Sequence, residues 1–224
     1  MSVTDPIPVR LFHEMEGLED WRVVSEGACA FFHTASFATS VKLVQAIGEL
    51  PDLQDHRPGV DIRDEGVTVR LITVTDDHFG LTERDVELAR QISSVARRLG
   101  LTADPTAVQS VLVIVGALAT SEVMPFWQAL LGYERRPDSP EEDLIDPGDR
   151  GPAFWFETMD APRADGGGAI HLAVWVPPEE AEARVAAALA AGGRMVRDEF
   201  APSWWTLADA AGNEADMASA KGRD

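Results

Sequence analysis

The chain has 224 residues, and its 45% hydrophobic and 25% charged residues are the composition of an ordinary globular protein. This length fits two domains of about 100 to 120 residues, each with its own core. The formal net charge of −19 disfavours nucleic-acid binding, because that affinity comes largely from Lys and Arg side chains that displace counterions from phosphates. We expect the acidity to serve solubility.

No apolar run approaches the roughly 18 residues needed to cross a bilayer. The first nine residues hold no basic cluster followed by an apolar stretch, so a secretory signal is not expected. The single cysteine, Cys29, excludes an intrachain disulfide and a site with several thiolate ligands. We therefore expect a cytoplasmic protein that binds a small molecule, with neither a membrane nor a nucleic acid as partner.

The first half combines helix and strand patterns. A short helical pattern over 9–17 precedes an apolar strand over 28–34, and Ser36 is placed to cap an amphipathic helix that ends by Gly48. The segment 67–74 alternates like a half-buried strand, and Thr82 is placed to cap a final helix.

A break in the pattern at Gly100, Asp104 and Pro105 marks a boundary between domains. Beyond it, an apolar strand over 108–115, a helix over 121–131 and a strand over 153–157 are followed by a similar series. That series consists of a strand over 169–176, a helix over 178–191 and a hairpin over 204–208 and 214–217. Self-similarity at roughly 60 residues predicts a duplicated βαβ-type unit. The predicted divisions are a first domain over 1–100, a linker over 101–106, a second domain over 107–218 and a tail over 219–224.

Two motifs in the first half carry a family resemblance. The turn Asp55-His56-Arg57-Pro58 is followed by a strand and then by Gly80-Leu81-Thr82-x-x-Asp85 at a helix start. This order resembles the pterin-4a-carbinolamine dehydratase family over about residues 9–98. The resemblance implies helices on one side of a four-stranded antiparallel sheet, and loss of water from a 4a-hydroxytetrahydropterin. That reaction needs one group to protonate the leaving hydroxyl and another to accept a proton from a ring nitrogen, and imidazoles suit both tasks.

The family's catalytic set is incomplete in this chain. The resemblance makes His56 a catalytic residue, but Arg57 replaces the second histidine of the family's His-His-Pro turn, and arginine is a poor acid or base. We expect Arg57 and Pro58 to contact the ligand. The family's strand-end histidine is also absent, and His78, slightly downstream, is the catalytic substitute that we consider. The alternatives are a turn histidine bonding its own backbone for His56, a solvated loop residue for His78, and, favoured for Asp85, a carboxylate stabilised by the helix dipole.

The second half resembles the vicinal oxygen chelate superfamily, especially its glyoxalase-like branch, over about residues 107–218. The motifs that carry this resemblance are Phe126-Trp127-x-x-Leu130-Leu131-Gly132, Ile170-His171-Leu172-Ala173-Val174 and Asp209-x-x-Gly212-Asn213-Glu214. In metal-binding members, two such modules form a cup that holds a divalent metal through His and Glu ligands.

The metal-ligand set of that superfamily is also incomplete. His171 matches the histidine that opens the second module, and Asp216 falls where the last-strand Glu is expected. The first strand, with Gln109 to Val111, offers no ligand, and Glu157 is a weak match for the third. We therefore expect no required cofactor and no bound metal, with a divalent metal held by His171 and Asp216 as the alternative.

An aromatic-rich cup suits a planar organic ligand, although such aromatic residues more often form ordinary core. Trp155, His171 and Asp216 are the candidate ligand-binding residues, with a satisfied sheet histidine as the alternative for His171. Strand alternation places Glu214 on the same face as Asp216, and requires one of Trp204 and Trp205 to face the cup.

The fold class expected is therefore α+β, with dehydratase-like helices on an antiparallel sheet followed by a cup of two βαβ-type modules. We favour an enzyme, a lyase that resembles 4a-hydroxytetrahydropterin dehydratase and carries an incomplete histidine set, and we expect a homodimer. The alternative is a metal-free, glyoxalase-like binding protein whose first domain serves dimerisation or docking. A metal-dependent glyoxalase or dioxygenase would require ligands that the sequence lacks.

Overall fold

A computed structural model describes residues 5–51, 53, 56–160, 170–208 and 214–222, apart from the side chains of Phe126, Ala129 and Leu130. The chain divides between Val108 and Gln109 into two compact units. Asp55, Asp209 and Gly212-Asn213, which belong to the motifs named above, lie outside the described residues.

The first unit contains helices and strands in mixed order. In chain order they are α1 (Val9–Glu14), β1 (Arg22–Val24), β2 (Gly27–His33), α2 (Phe37–Gly48), β3 (Gly59–Arg63), β4 (Gly66–Leu71), β5 (Thr73–Val74), β6 (Phe79–Gly80) and α3 (Glu83–Arg98).

An antiparallel four-stranded sheet of order β1-β2-β4-β3 forms the base of this unit. Val67, Val69 and Leu71 of β4 are buried and share a core with the apolar faces of α2 and α3, as their alternation predicts. Within that core, Trp21 donates a hydrogen bond from Nε1 to Ser93 Oγ of α3 over 3.0 Å. The prediction of helices on an antiparallel sheet is confirmed.

The segment after α3 is bonded to β2. The amide of His33 donates to the carbonyl of Thr102 over 3.0 Å, and the amide of Asp104 donates to the carbonyl of Phe31 over 2.8 Å. Leu101 packs against the core of the first unit.

The second unit is built around one large sheet. Its elements, in chain order, are β7 (Ser110–Ala117), α4 (Thr120–Leu131), β8 (Glu134–Arg135), β9 (Asp143–Ile145), β10 (Ala153–Thr158), β11 (Ile170–Trp175), α5 (Pro178–Ala190), β12 (Arg194–Arg197), β13 (Trp204–Ala208) and β14 (Glu214–Ala218).

The sheet order, β12-β13-β14-β11-β7-β10-β9-β8, reveals the duplication that the sequence predicts. As far as the structure describes it, each half has a strand, a helix and three further strands, and in each half the first strand pairs in parallel with the last. The two first strands, β7 and β11, pair antiparallel with each other and so join the halves.

The two faces of this sheet differ in chemistry. Val115, Phe154 and Phe156 pack against Met124 of α4 on one face. Because side chains alternate along a strand, Trp155, His171 and Asp216 lie on the opposite face.

Strands β3, β6, β8, β9 and β12 are absent from the sequence-based prediction. β3 is an edge strand whose side chains are mostly exposed, so it lacks the apolar alternation that identifies a strand. β8 and β9 have two and three residues, too few to show a period. Among the described residues, no helix has the length and apolar character to cross a membrane.

Candidate functional site

Asp85 lies in the first turn of α3 and is fully buried. Its Oδ2 accepts hydrogen bonds from the Thr82 amide (2.8 Å), the Thr82 hydroxyl (3.0 Å) and the Thr73 hydroxyl (2.7 Å). The bond from the N-cap amide back to this carboxylate is half of a capping box. Asp85 is therefore the helix-start carboxylate that the sequence predicts, and it is also tied to β5.

The carboxyl group of Asp85 is held ionised. Burial is the largest single influence and raises its pKa, but hydrogen bonds from His56, Thr73 and Thr82 together outweigh burial, so the net pKa is lowered. A buried carboxylate with this many donors is a fixed negative charge at neutral pH.

His56 directs its ring at this carboxylate. Nε2 lies 2.7 Å from Asp85 Oδ1, and the His56 side chain is 9% exposed. Because the ionised carboxylate can only accept, Nε2 is the donor of this bond and Nδ1 is the ring nitrogen left for another partner. No described residue hydrogen-bonds Nδ1. The alternative of a histidine that only bonds its own turn does not describe this side chain.

The other candidate residues of this unit differ in how far they are exposed. Arg57 is exposed and Pro58 is half-buried, both directly after His56. His78 lies in the turn between β5 and β6, half-buried, and its Nε2 is buried with no hydrogen-bond partner among the described residues. Thr73, which binds Asp85, begins the same hairpin.

The second unit contains a similar group on the sheet face opposite the one that packs against α4. His171 Nε2 lies 3.4 Å from Asp216 Oδ2, and the Thr206 hydroxyl donates to Asp216 Oδ1 over 2.6 Å. The side chains of His171 and Asp216 are 18% and 14% exposed. The structure thus brings together two residues that the sequence names separately.

The remaining candidates of this face are Trp155 and Glu157, on β10. Trp155 is half-buried and pairs with Ile114, which pairs in turn with His171, so Trp155 lies two strands from His171 in the same row. Glu157 is exposed.

Two potential metal ligands lie together on this face, because His171 and Asp216 are 3.4 Å apart. Within the part of the chain that the structure describes, no group of three or more His, Cys, Asp or Glu side chains is arranged to hold a metal ion. A zinc site uses at least three protein ligands.

Comparisons with known proteins match both units. The family model described as pterin 4 alpha carbinolamine dehydratase matches residues 9–95, and the one described as a glyoxalase-like domain matches residues 112–218. A curated relative from Aquifex aeolicus (strain VF5), "Putative pterin-4-alpha-carbinolamine dehydratase", is 31% identical over 86 residues, which are 38% of this chain and 85% of the relative. The chain belongs to the pterin-4a-carbinolamine dehydratase family. It also carries a glyoxalase-like domain, as the sequence predicts.

Further relatives match part of this family member. A protein of the same description from Nocardia farcinica (strain IFM 10152) is 35% identical over 83 residues, which are 37% of this chain and 85% of the relative. The crystal structure of a transcriptional coactivator/pterin dehydratase from Brucella melitensis is 23% identical, with a TM-score of 0.36, and the match covers 41% of this chain and 99% of that one.

Two site residues, Thr73 and Thr206, are missed by the sequence reasoning. The sequence contains a signal for Thr206, because a hairpin in which Ala208 pairs with Glu214 also pairs Thr206 with Asp216. The sequence contains no such signal for Thr73, because its contact with Asp85 depends on how the short β5–β6 hairpin folds against the start of α3.

Proposed function

We propose that the first unit dehydrates a 4a-hydroxytetrahydropterin and that His56 handles the proton. The observation that supports this most strongly is the buried contact between His56 Nε2 and Asp85 Oδ1 at 2.7 Å. A carboxylate behind an imidazole fixes its tautomer and stabilises the imidazolium form, which is the arrangement a general acid or base requires.

The reaction breaks the bond between ring carbon 4a and its hydroxyl group. In the proposed step, a protonated His56 gives its Nδ1 proton to the departing hydroxyl, which leaves as water, and the ring loses a proton from nitrogen to a second group. The negative charge of Asp85 then remains beside a neutral imidazole that can take up a proton again.

His78 is the candidate for the second group. Its buried Nε2 lacks a partner among the described residues, and an unsatisfied polar atom of this kind favours a substrate or water contact. Arg57 cannot exchange a proton at neutral pH, so we assign it to binding a carbonyl or anionic oxygen of the substrate.

The dehydration rate of a 4a-hydroxytetrahydropterin, followed by absorbance of the dihydropterin product, tests the proposal. His56→Ala should lower kcat by about a hundredfold or more, the usual contribution of a general acid or base. His33→Ala is the matched control, because His33 is an exposed histidine of the same unit that pairs with Asp104 at 3.6 Å. A His56→Ala variant as active as the wild type would exclude the proposal.

A further inference from the structure

Thr73 makes a contact with the His56–Asp85 pair that helix α3 itself does not need. Asp85 Oδ2 already accepts two bonds from Thr82, one from its amide and one from its hydroxyl, and these close the first turn of α3. The Thr73 hydroxyl adds a third bond, at 2.7 Å, from a position 12 residues earlier in the chain. Because the cap is complete without it, this bond has another effect: it ties the β5–β6 hairpin to the carboxylate that holds His56.

His78 is on the same face of that hairpin as Thr73. The hairpin pairs Thr73 directly with Gly80, and the amide of Thr75 donates to the carbonyl of His78 over 2.8 Å at the turn. Since side chains alternate along a strand, His78 and Gly80 share a face, and Thr73, opposite Gly80, is on that face too. Diagonal neighbours of this kind lie about 7–8 Å apart, within reach of aromatic and long side chains.

Gly80 leaves room for the imidazole on this face. A Cβ atom at Gly80 would lie 3.3 Å from His78 Cε1 and 3.5 Å from His78 Nε2, so the ring lies over the glycine that is paired with Thr73. Apart from the chain neighbours of Gly80, no other described residue comes within 4 Å of that Cβ position. The His78 Nε2 atom is buried without a hydrogen-bond partner among the described residues, and a buried polar atom of this kind favours a ligand contact.

We propose that Thr73 and Gly80 are positioning residues that fix the His78 ring relative to the first proton-transfer group; this inference rests on the proposed function. The Thr73 hydroxyl anchors the hairpin to Asp85, which holds His56 through its other oxygen. The hydroxyl of the substrate then leaves as water with a proton from His56, and the ring nitrogen loses its proton to His78. Solvent returns both histidines to their starting states, and neither Thr73 nor Gly80 exchanges a proton.

An effect of Thr73 on Asp85 alone would have a different signature. Burial raises the pKa of Asp85, and the bonds from His56 and then from Thr73 are the strongest influences that lower it. Loss of the Thr73 hydroxyl would therefore disfavour the carboxylate charge whether or not His78 is present. A role in positioning His78 disappears once that side chain has been removed.

A double-mutant cycle on kcat for pterin dehydration by the full-length protein distinguishes the two roles. Thr73→Val keeps the shape of the side chain and removes its hydroxyl, and it should lower kcat by roughly tenfold to a hundredfold, the loss expected for a misplaced catalytic group. In the His78→Ala background, the same substitution should change kcat by less than about twofold. Thr73→Ser retains the hydroxyl and should retain most of the activity.

Gly80→Ala tests the same role without touching the Asp85 contact. The added carbon meets only His78, so it should lower kcat severalfold in the wild-type background and have no effect in the His78→Ala background. This variant also keeps the proposal testable if Thr73→Val does not fold. Thr68→Val is the matched control, since Thr68 is a half-buried strand threonine on β4 of the same unit, and it should leave kcat unchanged in both backgrounds.

Nuclear magnetic resonance of the histidine rings supplies a readout that does not depend on turnover. Thr73→Val and Gly80→Ala should both shift the ring resonances of His78, and Thr68→Val should not. Unshifted His78 resonances, equal losses of kcat in the two backgrounds, or a His78→Ala variant as active as the wild type would each overturn the proposal. A fully active His56→Ala variant would instead exclude the proposed function, so the two failures are distinguishable.

Discussion

At the scale of single residues, Asp85 serves two structures with one carboxylate. Its Oδ2 closes the first turn of α3 through Thr82, and its Oδ1 holds the ring of His56. A helix start and a candidate active site therefore share the same buried charge, and substitution of Asp85 should affect folding and catalysis together.

Asp85→Asn should lower the free energy of unfolding at pH 7 by on the order of 3 kcal/mol, because an amide cannot replace a buried charged acceptor. The pKa of Asp85 is lowered in the folded state, so its contribution to stability is fully present above the unfolded-state pKa of about 3.9. That contribution is lost as the pH falls through the lower folded-state pKa. Urea unfolding of wild type and variant from neutral to acidic pH should show the two stabilities converging below about pH 4.

Asp61→Asn is the control for this measurement. Asp61 lies on β3 and pairs with Arg63 at 2.9 Å, but both side chains are more than half exposed, so the change should be within about 0.5 kcal/mol. Equal losses for the two variants would contradict the assigned role of Asp85.

Arg57→His should raise the dehydration rate rather than lower it. The substitution restores the second histidine of the turn that family resemblance leads us to expect, and it supplies a group that can exchange protons near neutral pH. We expect kcat for pterin dehydration to rise, by roughly tenfold or more. Arg63→His, at another exposed arginine of the same unit, should leave the rate unchanged; a gain in both variants would indicate a general charge effect.

At the scale of elements, the start of β4 depends on close approach of two backbones. Gly66 is buried opposite His33, and a Cβ atom there would come within 2.6 Å of Phe31 Cζ and closer still to the carbonyl oxygen of Phe32. The Phe31 ring itself packs edge-on against His33, at 5.0 Å between centroids, so it has little room to move away.

Gly66→Ala should therefore destabilise the protein by roughly 1–3 kcal/mol, the usual cost of overpacking. Gly48→Ala tests the same change without the contact, since nothing lies within 4 Å of the added carbon at the end of α2. That control should be neutral or stabilising by up to about 1 kcal/mol. Thermal unfolding should thus show a lower Tm for Gly66→Ala and an unchanged or higher Tm for Gly48→Ala, and equal destabilisation would refute the packing argument.

Longer elements with a buried face could be predicted from the sequence, whereas exposed edge strands and strands of two or three residues could not. Ser36 and Thr82 are both N-cap residues as predicted, because capping chemistry is local. Edge strand β3 contacts little core, and its assignment follows only from pairing with β4. The candidate site divides in the same way: His56, His171 and Asp216 could be named from motifs, whereas the contact between His56 and Asp85 joins residues 29 positions apart and required the fold.

At the scale of the whole molecule, residues 101–106, which lie between the two families' regions of similarity, belong structurally to the first unit. Residues 102–104 bond the carbonyl and amide groups of β2 beside the sheet. The first unit therefore includes a closing segment that the composition of 101–106 does not reveal, because Gly and Pro mark turns but not what the turns pack against.

Amide hydrogen exchange of the full-length protein tests this arrangement. The amides of His33 and Asp104, which donate to backbone carbonyls, should exchange slowly, at rates comparable with those of β2. The amide of Thr106 donates to the exposed carboxylate of Asp104 and should exchange faster. Fast exchange at all three positions would describe a flexible linker and contradict the observed bonds.

The antiparallel pairing of β7 with β11 indicates how such a sheet could arise from two copies of one unit. A protein carrying only one strand-helix-three-strand copy would leave the edge of its first strand unpaired, and two identical copies could satisfy each other about a twofold axis. Placing both copies in one polypeptide makes that association intramolecular, so it no longer depends on protein concentration. It also frees each copy to diverge, and His171, Asp216 and Thr206 all belong to the second copy alone.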